Sequence, residues 1–295
     1  MREVEWGLET ELGPAFEVVE PSRIETPIVL NSPHSGSRYP RKFLAASRLD
    51  ATTLRRSEDS FVDELVAPCV AIGAPLLCAR FPRAYLDVNR EPYELDPQMF
   101  EGRLPEFTNT RSLRVAAGLG AIPRVVGDAQ PIYRGPIPVA EALERIATLH
   151  RPYHARLAAL IERARDRFGF AILVDCHSMP SSSVDANACD IVLGDRFGSS
   201  AAGWIVDTLE RALRESGLGV RRNQPYAGGY ITEHYGTPAQ GRHAVQIEIN
   251  RSLYMDERRS VKLERADFLG RVLLNTMRIL AARAAGFGQA SLAAE

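Results

Sequence analysis

Two histidines each follow an apolar, strand-like run of the sequence: His34 comes after residues 26–30 and His177 after residues 170–174. An acidic pair, Glu58–Asp59, lies between them in the chain. Two imidazoles and one carboxylate are a common ligand set for catalytic zinc, in which a fourth position is kept for water. A histidine after a strand is also typical of a hydrogen-bonded loop residue. No HExxH or CxxC motif decides between the two interpretations.

Two further charged residues have types suited to catalysis. In residues 244–250, Gln246, Glu248 and Asn250 alternate with apolar residues and would share one face of a strand. Glu248 is therefore either an ordinary residue of a half-exposed strand or a general base acting on an activated water. Arg90 either stabilises a developing oxyanion or is solvated, as most arginines are.

The elements that must position these residues alternate between strands and helices. Strands are predicted over 26–30, 75–81, 170–174, 190–193 and 244–250, and helices from Glu58 onward, with Ser57 as the cap, and over 139–168, 201–214 and 261–285. Pro152 should kink or split the second of these helices. The alternation predicts an α/β fold with a mostly parallel central sheet. Ligands of such sheets bind beyond the carboxyl ends of the strands, where both histidines are expected.

Residues 91–138 interrupt this alternation, with seven prolines between Pro92 and Pro138 and little periodicity. An irregular segment of this length inside a compact domain is usually a lid or a binding loop. We therefore expect a lid-like segment at about 91–138. No linker-like stretch divides the sequence, so residues 1–295 are predicted to form one domain.

Composition and missing motifs exclude several functional classes. The 36 Lys and Arg residues balance 37 Asp and Glu residues, so the basic excess of a nucleic-acid-binding domain is absent. No apolar stretch reaches the roughly 18 residues of a membrane helix. Residues 1–12 contain four glutamates and no apolar core, unlike a signal peptide. The absence of GxSxG, GxxxxGK[ST] and GxGxxG disfavours serine hydrolases, P-loop proteins and dinucleotide-binding proteins. We expect a cytoplasmic protein with a small-molecule partner and no nucleic-acid or membrane partner.

Eight short segments of the sequence are informative together, because they occur in one order along the chain. They are residues 31–36, 57–65, 87–90, 151–154, 175–178, 225–232, 243–248 and 254–257. With these segments the sequence resembles the N-formylglutamate amidohydrolase family. The resemblance implies a three-layer α/β fold like that of zinc-dependent exopeptidases, with a mostly parallel mixed sheet between helices.

The resemblance also implies roles for individual residues. His34, Asp59 and His177 would hold Zn²⁺ or another divalent metal, with Glu58 as the alternative carboxylate ligand. Glu248 would take a proton from the attacking water and deliver it to the leaving amine, while the metal and Arg90 would stabilise the oxyanion.

Substrate contacts are implied for a wider set of residues. Asn89 forms an Asn-Arg pair with Arg90, and His243 would also contact the substrate. Partners of the substrate carboxylates would be Arg111, Arg124 and Arg134. A loop that lets the substrate approach the backbone closely would be formed by Gly228, Gly229 and Tyr230. Asp175 would lie on the same strand face as His177 and orient it.

The activity implied by the resemblance is metal-dependent hydrolysis of an N-acyl amino acid. N-formyl-L-glutamate, cleaved to formate and L-glutamate as in histidine degradation, is the first choice of substrate. A zinc metallopeptidase, or a deacylase acting on other N-acyl amino acids, is the alternative. A binding protein built on a hydrolase scaffold is the third interpretation, and the intact candidate ligands argue against it.

Overall fold

The computed structural model describes residues 11–127, 129–183 and 189–292. The chain divides into two compact units. Of the described residues, the first unit contains 11–17, 33–60, 78–127 and 129–155, and the second contains 18–32, 61–77, 156–183 and 189–292. The single domain expected from the sequence remains a prediction.

A mixed, mostly parallel sheet of seven strands has the order β1-β3-β2-β8-β11-β9-β10. Its strands are β1 Phe16–Val19, β2 Ile28–Ser32, β3 Leu76–Ala79, β8 Ala171–Met179, β9 Ile191–Gly194, β10 Val220–Arg222 and β11 Arg242–Asn250. β8 pairs in parallel with β2 and with β11, and β9 pairs in parallel with β10, while β11 and β9 are antiparallel. The predicted α/β class with a mostly parallel sheet is therefore confirmed.

The central strand β8 is longer than the sequence pattern predicts. All nine of its residues are buried, and it pairs with β11 over its full length. The prediction ended at Val174 because the polar residues that follow resemble a loop. In the structure, Asp175 and His177 hydrogen-bond to each other, so the strand continues with its polar side chains satisfied.

Helices of the second unit include α3 Val62–Val66, α7 Gly203–Glu215, α8 Tyr230–Tyr235 and α9 Ala266–Leu292. α9 packs against α7 and α3. The predicted helix start at Glu58 with Ser57 as its cap is wrong. The Ser57 hydroxyl instead donates to the Leu54 carbonyl, and α3 begins after Phe61, which has a left-handed backbone. Residues 58–60 therefore precede α3 and do not belong to a helix.

The last helix also begins later than predicted. Val261–Lys262 form the short strand β13, which pairs with β12, Met255–Asp256, and α9 begins at Ala266. No helix in the part of the chain that the structure describes has the length and apolar character needed to cross a membrane.

The first unit contains mainly short elements. They are α1 Arg41–Ala46, α2 Ala51–Arg55, β4 Phe100–Glu101, α4 Leu113–Ala116, β5 Val125–Val126, β6 Gln130–Pro131, β7 Ile137–Pro138 and α5 Val139–Arg145. Within the described part of 91–138 the elements are only two to four residues long, and the lid-like role of this segment stays a prediction. The predicted split near Pro152 is found: a π-helical turn, Ile146–His150, separates α5 from α6, Arg151–Phe168. Pro152 lies just beyond this π-helical turn, and its missing N–H cannot complete a regular α-helical hydrogen bond there.

A buried arginine holds the first unit together around Tyr85. Arg145 is only 1% exposed, and its guanidinium lies over the Tyr85 ring at 3.8 Å from the ring centre. It donates to the Tyr85 carbonyl and to the Tyr133 hydroxyl, and it forms an ion pair with Glu141. A buried charge needs such partners. The arginine thereby fixes the chain two residues before Asp87.

Candidate metal centre and active site

His34 and Asp59 are brought together by their backbones. His34 follows β2, and its carbonyl accepts a hydrogen bond from the Asp59 N–H at 3.0 Å. The Ser35 hydroxyl donates to the Asp59 carbonyl at 3.1 Å. Gly36 allows this loop to pack closely, since a Cβ there would lie 2.1 Å from the Phe81 carbonyl oxygen. As a result, His34 Nδ1 lies 3.4 Å from Asp59 Oδ2, with both side chains buried.

The other ring nitrogen of His34 is held by Asp87. Nε2 lies 2.8 Å from Asp87 Oδ1, and Arg83 donates to Asp87 Oδ2 at 2.7 Å. Burial acts to raise the pKa of the Asp87 carboxyl, but the nearby charges, led by Arg83, hold it well below its ordinary value. An ionised carboxylate can only accept, so Nε2 of His34 carries the proton. Nδ1 is then the ring nitrogen suited to a metal.

His177 has the same arrangement on the sheet. Its Nε2 lies 2.9 Å from Asp175 Oδ2, and Asn31 Nδ2 donates to Asp175 Oδ1 at 2.7 Å. Asn31 and Asp175 are register partners on β2 and β8, so their side chains share one face. The predicted pairing of Asp175 with His177 is confirmed. Because Nε2 of His177 faces Asp175, Nδ1 of the ring points away from that carboxylate.

His34, Asp59 and His177 form a candidate ligand triad. Each offers one ligand atom, the three atoms lie within 4.8 Å of one another, and all three residues are buried. Metal-bound histidines usually donate their other ring N–H to a carboxylate or carbonyl. Two imidazoles held in this way, together with one buried carboxylate, fit a divalent metal such as Zn²⁺.

Glu58, the alternative ligand, is engaged elsewhere. Its Oε1 accepts from the Tyr39 hydroxyl at 2.6 Å, and its Oε2 accepts from Ser60 Oγ at 3.0 Å and Arg55 Nε at 3.2 Å. Because both carboxylate oxygens already have donors, the structure favours Asp59 over Glu58 as the carboxylate of the triad.

Glu248 lies beside His177 on the sheet. The two are register partners on β11 and β8, so their side chains project from the same face of strands spaced about 4.8 Å apart. Glu248 is 7% exposed, and its Oε1 accepts from Gln246 Nε2 at 2.8 Å. This is not the half-exposed strand residue that was the alternative interpretation.

Asn89 and Arg90 follow Asp87 closely. The Asn89 N–H donates to Asp87 Oδ1 at 2.8 Å. Arg90 donates through Nε to the Leu119 carbonyl and through Nη1 to the Asn89 carbonyl, and Nε lies 4.0 Å from Asp87 Oδ2. Its side chain is 16% exposed. Arg90 is therefore held in one orientation next to the residue that supports His34.

The predicted glycine loop is fixed by its backbone. Gly228 has a φ of 113°, and a Cβ there would lie 2.9 Å from Thr232 Cγ2. The Gly229 N–H donates to Gln246 Oε1 at 2.9 Å. Tyr230 opens α8, and its ring stacks on His234. The loop is thus joined to the strand that carries Glu248.

Other predicted substrate contacts have different partners. Arg134 donates to the Ser47 carbonyl, and Arg124 forms an ion pair with Asp96 at 2.7 Å. Arg111 is exposed. These contacts join Arg134 and Arg124 to residues of their own unit, and the substrate contacts expected of the three arginines stay predictions.

His243 lies away from the site. It is five residues before Glu248 on β11, so the alternation of the strand places it on the opposite face. Its Nδ1 accepts from the Ala202 N–H at 3.3 Å, and burial lowers its pKa. The substrate contact expected of His243 therefore stays a prediction, and the strand places this imidazole on the face opposite to Glu248.

Four residues that support the triad or Glu248 were not identified from the sequence. They are Asn31, Arg83, Asp87 and Gln246. Two of them carried a usable signal, because Gln246 shares a strand face with Glu248 and Asn31 directly follows the strand predicted before His34. Asp87 contacts His34 across a chain separation of 53 residues, and Arg83 contacts Asp87, so no pattern around His34 reveals either of them.

Comparison with known proteins places this geometry in a family. The family model for N-formylglutamate amidohydrolase matches residues 26–255. An N-formylglutamate deformylase of Pseudomonas aeruginosa is 31% identical over 247 residues, covering 82% of this chain and 86% of that protein. One from Pseudomonas putida is 29% identical over 237 residues, covering 78% and 82%. The crystal structure of N-formylglutamate amidohydrolase from Ralstonia eutropha is 38% identical, with a TM-score of 0.85 over 91% of this chain and 99% of that one.

Proposed function

The chain belongs to the N-formylglutamate amidohydrolase family, and on this premise we propose that it hydrolyses N-formyl-L-glutamate to formate and L-glutamate with a divalent metal held by His34, Asp59 and His177. The observation that carries the proposal is the ligand triad, in which an aspartate holds Nε2 of each histidine. Hydrolysis of an amide is the chemistry of the family, and the triad supplies the metal dependence.

Zinc is the metal that this donor set fits best, because two histidines and a carboxylate leave a fourth position open. When bound, the metal would polarise the formyl carbonyl and lower the pKa of the attacking water. Cobalt and nickel also bind such sites according to supply.

Glu248 is the proposed general base. Its carboxylate lies next to His177 on the same face of the sheet, where it can take a proton from the attacking water. The same carboxylic acid then returns the proton to the nitrogen of glutamate as the C–N bond breaks. The base therefore ends each turnover in its ionised form.

Arg90 is the proposed oxyanion donor. The Leu119 and Asn89 carbonyls bind its Nε and Nη1, and neither contact uses Nη2. We expect Arg90→Ala to lower kcat by about 100- to 1,000-fold, the usual loss for one oxyanion donor, with a smaller change in KM. Steady-state formate release measures both constants. The control is Arg80→Ala, which removes an arginine paired with Glu17 on the surface. A change in KM alone would make Arg90 a substrate-carboxylate anchor instead.

Asp87 is expected to tune metal affinity through His34. The Asp87→Asn variant replaces the acceptor that fixes the proton on Nε2, so metal affinity should fall by about 10- to 100-fold. Competition with a chromophoric chelator measures the affinity of the apoprotein. Asp96→Asn is the matched control, since Asp96 is also buried and paired with an arginine, Arg124. Equal affinities for the two variants would show that Asp87 does not support the metal site.

The irregular segment 91–138 is proposed to cover a small substrate. The Asp87 N–H donates to the Ala121 carbonyl, and Arg90 donates to the Leu119 carbonyl, so this segment is joined to the chain that supports His34. A covered site suits an N-acyl amino acid better than a peptide, which needs an open groove.

A substrate panel tests the proposed function. The zinc-loaded protein is assayed for release of the acyl group from N-formyl-L-glutamate, N-formyl-L-aspartate, N-acetyl-L-glutamate and short peptides that end in glutamate. We expect the highest kcat/KM with N-formyl-L-glutamate. Turnover of the peptides without formate release would replace the proposal with a metallopeptidase.

A further inference from the structure

Gln246 is a buried amide with two fixed partners. It lies two residues before Glu248 on β11, on the same strand face, and is 3% exposed. Its Oε1 accepts from the Gly229 N–H at 2.9 Å, and its Nε2 donates to Glu248 Oε1 at 2.8 Å. The amide therefore connects the glycine loop to the proposed base.

These partners determine the orientation of the amide. A backbone N–H can only donate, so the oxygen of Gln246 must face Gly229 and its NH₂ must face Glu248. The NH₂ group then binds one oxygen of the Glu248 carboxylate. This contact restrains the direction in which the carboxylate faces.

The glycine loop gives the amide a firm support. A Cβ at Gly228 would lie 2.9 Å from Thr232 Cγ2, and a Cβ at Gly194 would lie 2.7 Å from the Ala227 carbonyl carbon. The loop is thus packed closely against α8 on one side and the end of β9 on the other. The Gly229 N–H has little freedom to move, and neither has the amide that binds it.

We propose that Gln246 is a positioning residue for hydrolysis, which orients the Glu248 carboxylate and anchors that orientation to the backbone of the glycine loop. This role rests on the proposed function, in which Glu248 is the base. It explains why a carboxamide with both a donor and an acceptor lies at this buried position. A residue that only filled space would need neither.

Two substitutions separate the contacts of Gln246. Q246M removes both hydrogen bonds at similar volume, while Q246E keeps an acceptor for the Gly229 N–H and replaces the donor to Glu248 with a second carboxyl group. We expect each to lower kcat for N-formyl-L-glutamate by about 10- to 100-fold, the cost of a misplaced catalytic group. In Q246E, which keeps an acceptor for the Gly229 N–H, KM should stay within about twofold. Bound zinc should stay at the wild-type level.

A double variant distinguishes positioning from a general structural effect. If Gln246 acts through Glu248, Q246M/E248Q should be no slower than E248Q alone. Multiplied losses, or a Q246M enzyme within twofold of the wild-type kcat, would overturn the proposal. Exchange of the Gly229 amide proton supplies a readout without catalysis: it should become faster in Q246M and stay slow in Q246E.

Ser200→Ala is the matched control for these variants. The Ser200 hydroxyl donates to the Ala244 carbonyl of β11 at 2.8 Å, so its loss removes one buried hydrogen bond to the same strand without touching Glu248. We expect S200A to keep the wild-type kcat. If Q246M does not fold, Q246E carries the test, and an active Q246E would overturn the proposal. Absence of formate release by the wild-type protein would contradict the proposed function instead.

Discussion

His34→Ala and His177→Ala should each lower the zinc content from about one equivalent to near zero and reduce formate release to background. Each substitution removes one of three buried ligand atoms that lie within 4.8 Å of one another. The two ligands that remain would bind the metal too weakly to retain it during dialysis against a weak chelator. Metal analysis of the dialysed proteins, run alongside the formate assay, measures both effects on the same samples.

Two controls make the metal analysis specific. His243→Ala removes a half-buried imidazole from the opposite face of β11 and should keep the full metal content. Asp59→Ala should lose the metal, whereas Glu58→Gln should retain it, because Tyr39, Ser60 and Arg55 already bind the Glu58 carboxylate. Full metal content in both histidine variants, or no zinc in the wild-type protein under replete conditions, would remove the triad as the metal site.

The parts of the site that the sequence predicts are those controlled by short-range geometry. A polar residue at the carboxyl end of a parallel strand is expected at the ligand-binding edge, which identified His34 and His177 as candidates. Strand alternation paired Asp175 with His177 and placed Glu248 on a polar face. These inferences need only the identity of a strand and its period of two.

The parts that the sequence does not predict depend on contacts between distant segments. Asp87 supports His34 across a separation of 53 residues, and although it begins one of the segments that carry the family resemblance, no local pattern indicates that it contacts this histidine. The arginines illustrate the same limit, since Arg134 and Arg124 have ordinary structural partners. Local polarity also misled the prediction at β8, which ends at Met179 rather than Val174.

Glu248→Gln should lower kcat by about 100- to 10,000-fold, the usual contribution of a general base, while zinc content and KM change little. Glutamine has the shape of glutamate and offers an oxygen to the Gln246 donor, so the contact at 2.8 Å can be kept and the fold retained. What is lost is the basic carboxylate oxygen that takes the proton from water. Single-turnover formate release with zinc-loaded protein measures the loss at the chemical step.

The interpretation of that result depends on what else the variant loses. Glu162→Gln, which removes a carboxylate paired with Arg165 on the surface of α6, is the control for a Glu-to-Gln change and should match the wild-type rate. A slow Glu248→Gln enzyme with a full equivalent of zinc assigns the loss to proton transfer, because the metal site is intact. A rate within about tenfold of wild type would mean that another group takes the proton, since a true base contributes more than that. Glu248 would then be only a buried neighbour of His177. The proposed positioning role of Gln246 would be contradicted as well, because it depends on Glu248 being the base.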